Sequence, residues 1–196
     1  MPLILETIVT TLSPAGELHL VPFGLIHEAD GFVLAPFRPS PTIANLEANP
    51  AFAASSPRDI RVIAGAVTGR RDWPTAPCTA IAGRRLADSF GHAEFEVAAI
   101  ENHETRPRFR GRMVHSAAHA PFIGYNRAQA AVLEGAILST RLHMLEPEKV
   151  LTEMAYLAIA IGKTAGPRER EAWGWIEDKV AAAFGPEARI LGRDDR

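Results

Sequence analysis

The apolar residues of this chain change their period near residue 122, and that change limits what it can fold into. Before it they fall in short runs: Ile4 to Leu12, Leu18 to Gly24, Phe32 to Ala35, Ile60 to Val67, Glu94 to Ile100 and Phe109 to His115. The last two alternate like half-buried strands, and Ser13-Pro14-Ala15-Gly16 and Ala29-Asp30-Gly31 supply turn chemistry between earlier runs. Short strands at this spacing suit an antiparallel barrel, because closure removes exposed edges. After residue 122 the period becomes helical. Ala128, Ala131, Gly135, Leu138, Leu142 and Leu145 make one stripe, and Val150, Leu151, Met154, Leu157, Ala158 and Ile161 a second. A third opens at Pro167, carries Trp173, Ile176, Val180 and Phe184, and stops at Gly185-Pro186. The expected class is α+β, with a barrel over 1–122, a helical region over 123–188 and a polar tail over 189–196. Residues 68–93 lack a strong period and read as a long connection over the barrel mouth.

One stretch within the barrel half carries chemistry. In Phe37-Arg38-Pro39-Ser40-Pro41-Thr42-Ile43-Ala44-Asn45-Leu46 an arginine and two hydroxyls stand where a strand gives way to a short helix ending before Pro50. The amides of a helix's first turn and the positive end of its dipole favour a phosphate there, and Arg38 adds a planar fork of donors. The competing reading is that Ser40 or Thr42 simply caps the helix while Arg38 lies on the surface.

Composition bounds the partners. At 196 residues, 47% hydrophobic and 22% charged, the chain can bury a substantial core, and its net charge of -2 gives no electrostatic reason to expect nucleic acid. Cys78 is the single cysteine, so neither a disulfide within the chain nor a thiolate metal site is expected. Leu3-Ile4-Leu5 has no basic lead-in and is interrupted by Glu6, and no apolar run reaches spanning length, so a cytoplasmic protein without a membrane partner is expected. His115 and His119 have helical ligand spacing, but Pro121 ends any helix and no acidic ligand is near in sequence, so no metal is expected. Arg127, Glu134 and Arg141 recur every seven residues, which fits either a solvated face or a ladder with partners.

The order strand, Pro/Gly turn, strand ending Pro22-Phe23-Gly24, strand, Arg38-Pro39-Ser40-Pro41-Thr42, Asn45-Leu46 and Asn49-Pro50 resembles the FMN-binding split-barrel superfamily of flavin reductases and pyridoxamine-phosphate oxidase-like proteins. Tyr125-Asn126-Arg127-Ala128, followed by Glu134 and Thr140-Arg141-Leu142, is similar to the DUF447 branch of it. The resemblance implies an antiparallel split β-barrel with a C-terminal helical region, FMN as cofactor and a homodimer. It further implies Arg38, Ser40 and Thr42 on the phosphate and Asn45 on the turn or ribityl chain. Val9, Thr10 and Thr11 would lie along the isoalloxazine beside Phe23, and Asn126 and Arg127 near the flavin end. The implied activity is an FMN-dependent oxidoreductase passing hydride to or from a small molecule that the sequence does not identify. A flavin carrier without turnover, and a barrel holding F420 near Arg70, Arg71, Arg84 and Arg85, stand as alternatives. Haem would call for an axial histidine, for which no histidine has a convincing context.

Overall fold

The computed structural model describes residues 2–29 and 31–190; Asp30 of the second expected turn and residues 191–196 of the expected tail lie outside them. The chain forms two compact units. The first takes the chain up to Arg58 and again from Asp72 to Phe122; the second takes Asp59–Arg71 and the described chain from Ile123 onward.

In the first unit β1 (Leu3–Leu12), β2 (Leu18–Glu28), β3 (Gly31–Leu34), β4 (Ala51–Pro57), β7 (Ser89–Glu101) and β8 (Arg108–Ala118) close a six-stranded barrel in the order β1-β2-β3-β8-β7-β4. Every pairing is antiparallel, with β1 and β4 completing the ring. Period-two alternation sends Val9, Phe52, Ala54 and Phe95 inward, where they pack with Leu25, Leu34 and Phe109. Phe52 and Phe95 stack with ring centroids 4.7 Å apart, and a Cβ at Gly111 would lie 2.9 Å from the Phe52 ring, so glycine is required on that part of β8. Helix α1 (Pro41–Ala48) lays Ile43 and Leu46 onto this core.

The opposite face of β1, β4 and β7 is also covered. Between Arg71 and β7 the expected long connection forms a small hairpin, β5 (Thr75–Pro77) with β6 (Arg84–Leu86). The Thr10 hydroxyl bonds to the Arg84 carbonyl, and the Leu86 amide donates to Ser55 Oγ at 3.3 Å. Outward-pointing Thr10, Ala53, Ser55 and Glu94 are therefore buried although they face away from the core.

The second unit is helical: α2 (Arg61–Val67), α3 (Arg127–Ser139), α4 (Pro147–Thr164) and α5 (Pro167–Phe184). Its interior holds Val62, Ile63, Ala128, Ala131, Val132, Met154, Ile161, Trp173, Ile176 and Val180. Gly135 permits the close approach of α5, since a Cβ there would meet the Trp173 ring at 3.0 Å. Two expectations change here. The run Ile60 to Val67, counted among the barrel runs, is a helix packed on α3 and α5. A continuous apolar run has no period of its own to distinguish helix from strand, and tertiary packing decides it. Helix α3 ends at Ser139, so Leu142 and Leu145 belong to the turns that follow rather than to its stripe. No helix among the described residues is long and apolar enough to cross a membrane.

Candidate functional site

Ser40, in extended conformation, caps α1: its Oγ accepts from the Thr42 amide at 3.3 Å and its carbonyl from the Ile43 amide at 3.1 Å. Pro41 has no N–H. The amides of the first turn are thus largely engaged by the cap itself, which corrects the expectation that they stand free for an anion. What remains is side-chain chemistry. Thr42 is fully buried and its Oγ1 has no hydrogen-bond partner among the described residues. A hidden hydroxyl without a partner costs about 1–3 kcal/mol, so Thr42 keeps a donor and acceptor that a bound group could use. The Ser40 hydroxyl, accepting at its oxygen, keeps its own hydrogen to donate.

Arg38 holds the same loop through its amide, which donates to the Thr105 carbonyl at 2.9 Å, and a cis Arg38–Pro39 bond follows it. Its guanidinium lies 3.8 Å from Glu47, both side chains being 42% or more exposed, a pairing too loose and wet to fix it. Asn45, one turn into α1, donates from Nδ2 to Thr11 Oγ1 at 2.9 Å, with both residues buried. Arg38, Ser40, Thr42, Asn45 and Thr11 therefore belong to one polar corner. Thr10 points the other way, to the β5–β6 hairpin, and the Val9 side chain is committed to the barrel core.

Asn126 and Arg127 belong to the helical unit. Asn126 Oδ1 caps α3, accepting from the amides of Ala128 at 2.8 Å and Gln129 at 3.1 Å, while its Nδ2 donates to the Thr164 carbonyl at 3.1 Å. That gives it a complete structural role, joining the start of α3 to the end of α4. Arg127, Glu134 and Arg141 are all exposed, as a solvated face requires.

A second polar centre escaped the sequence reading. Glu94 on β7 is completely buried, yet its carboxylate accepts from the amides of Thr79 at 2.7 Å, Ala80 at 2.6 Å and Ile81 at 3.1 Å, and from His92 Nε2 at 2.9 Å. Burial alone would raise its pKa; the three amides and the His92 ring outweigh that and hold it at about 2. An ionised acceptor fixes the His92 proton on Nε2, so His92 Nδ1 accepts from His119 Nε2, 2.9 Å away. His119 is exposed, its pKa lowered first by desolvation and then by Arg85 and the neighbouring histidines. His115 completes the group, tilted against His92 with centroids 5.6 Å apart. Alternate residues 92 and 94 of an alternating strand were the one signal available; the register that sets Glu94 opposite His115 was not.

A model described as the N-terminal domain of a protein of unknown function, DUF447, matches residues 5–120, and the corresponding DUF447 C-terminal model matches residues 126–178. Among curated proteins there is no match. The FMN-bound protein MM1853 from Methanosarcina mazei, also matched by DUF447, superposes with a TM-score of 0.77 at 17% identity, covering 91% of this chain and 96% of that one. The 2-nitrobenzoate 2-nitroreductase NbaA of Pseudomonas fluorescens superposes with a TM-score of 0.51 at 20% identity, over 61% of this chain and 66% of its own. At these identities the likeness is one of fold: an antiparallel split barrel.

Proposed function

The chain belongs to the DUF447 family, and from that premise we propose that it binds FMN at the α1 corner and works as a flavin-dependent oxidoreductase, exchanging hydride with a small molecule. The observation that carries the reading is the Thr42 hydroxyl, buried in the N-terminal turn of α1 with no hydrogen-bond partner among the described residues. The residues present fit a phosphomonoester. Arg38 offers a guanidinium fork held only loosely by Glu47, Ser40 and Thr42 offer hydroxyl donors, and the helix dipole has its positive end there. Asn45 holds the Thr11 hydroxyl in a fixed orientation beside them. The fold relatives named above, an FMN-bound protein and a nitroreductase, agree with flavin chemistry on such a barrel.

Hydride transfer would be supplied by the flavin itself. The task left to the chain is to neutralise the phosphate dianion with Arg38, orient it with Ser40 and Thr42, and keep water from the buried side of the corner with Ile43 and Leu46. The reading includes a homodimer in the cytoplasm, and the exposed Leu3, Ile4 and Leu5 of β1 offer apolar surface for the pairing. The F420 alternative draws less support, because Arg84 is held by Thr75 and Arg70 stacks on Trp175 in the helical unit. The test is the visible spectrum of the purified protein and the mass of any released chromophore, followed by titration of flavin-free protein with FMN. Near-stoichiometric FMN, reduced on addition of a nicotinamide donor, is the expected result. FMN that binds but is never reduced by such donors would favour the carrier, and failure to bind FMN would end the reading.

A further inference from the structure

We propose that His92, Glu94 and His115 form a binding site for a divalent first-row transition metal ion on the outer face of the barrel. One ligand atom from each lies within 4.8 Å of the other two, and His92 Nε2 already stands 2.9 Å from Glu94 Oε1. Ions of this class take imidazole nitrogen and carboxylate oxygen at about 2.0–2.2 Å, so their ligand atoms sit roughly 3 to 3.5 Å apart. A shift of the His115 ring by about an ångström closes the set. All three residues belong to the barrel unit.

The backbone explains why these three converge. Residues 92 and 94 share one face of β7, and β8 sets His115 directly opposite Glu94. The register shifts next to that pair, between Glu94 and Phe95, a bulge of the kind that re-aims side chains beside functional sites.

Around them lies the support that metal ligands need. The Glu94 carboxylate is fixed by the amides of Thr79, Ala80 and Ile81, contacts that bonding to a cation would leave intact. With Nε2 on a metal, the single proton of the neutral His92 ring moves to Nδ1, where His119 Nε2 is already within 2.9 Å to accept it. His119 thereby acts as a positioning residue for His92. Two imidazoles with one carboxylate suit zinc, iron or cobalt, whereas calcium and magnesium require oxygen ligands. Entry is from the side of half-buried His115 and exposed His119, since His92 and Glu94 are closed off.

The rival explanation is that Glu94 and His92 only anchor the 79–81 loop, and binding decides between them. Untagged full-length protein, freed of flavin and treated with a chelator, is titrated with Zn2+ by calorimetry and with Co2+ by visible absorbance. A single saturable ion per chain with Co2+ ligand-field bands is expected. His119→Ala should weaken binding about 10- to 100-fold as loss of an outer partner, and His115→Ala should weaken it further while leaving the circular dichroism and thermal midpoint of the metal-free protein unchanged. Absence of saturable binding to the folded wild type overturns the proposal, as does wild-type affinity in His115→Ala. No flavin enters the measurement, so its outcome is independent of the FMN reading.

Discussion

Two polar centres in the barrel unit are buried to the same degree and satisfied to opposite extents. At the β7–β8 face, Glu94 has four donors for one carboxylate; at the α1 corner, Thr42 has no partner for its hydroxyl among the described residues. A saturated buried anion contributes to holding the fold together, because removing it strands its donors. An unsatisfied hydroxyl does the reverse, costing stability until something binds. The difference separates a group whose contacts already stabilise the chain on its own from one that gains its contacts only on binding, and the two respond differently to substitution.

The largest effect is expected from Glu94→Leu, which leaves the amides of Thr79, Ala80 and Ile81 without their acceptor: a loss of about 3–5 kcal/mol in urea unfolding. A loss below 1 kcal/mol would break the contrast. Arg38→Ala should leave unfolding untouched and weaken FMN binding by about 1.5–3 kcal/mol, read by fluorescence titration. Thr42→Val keeps the shape and removes the stranded hydroxyl, so the flavin-free protein should gain about 1 kcal/mol while FMN affinity falls by a similar amount. Lower stability in that variant would show that Thr42 has an internal partner after all.

The smallest effect concerns a second buried carboxylate, in the helical unit. Asp59 has a pKa that burial would raise, but the Arg61 guanidinium at 2.7 Å, the Arg61 amide at 3.0 Å and Arg168 at 3.7 Å lower it below its ordinary value of 3.8. A depressed folded pKa stabilises above the unfolded value and loses that contribution as pH falls through the folded one. Stability measured by thermal melts from pH 5 downward should therefore decline, and Asp59→Asn should decline less steeply.

What could be read from the sequence follows the range of the interactions. The α1 corner was legible because cap, proline and helix lie within ten residues, and α4 and α5 because Pro147, Pro167 and Gly185 mark their ends. The α1 amides were misjudged, since which donor the Ser40 side chain captures is settled by rotamer rather than by spacing. The His92–Glu94–His115 group was invisible for a different reason: it depends on the pairing of two strands across a bulge, and a one-residue slip would turn His115 to the opposite face. Asn126 was legible as a position but not as a role, because its contact with Thr164 spans two helices.

Helix α2 carries a consequence for how the protein is made. Its residues Val62, Ile63, Ala64 and Ala66 leave the ribosome ahead of β7 and β8, whereas α3 begins only at residue 127 and α5 at residue 167. Through most of translation this apolar face has no partner, so a barrel released early, by a stop codon near residue 122, would carry an orphaned sticky segment. The gene cannot be cut into two self-sufficient halves at that boundary, and quality control in the cell would have to shield the nascent chain until its last long helix has emerged.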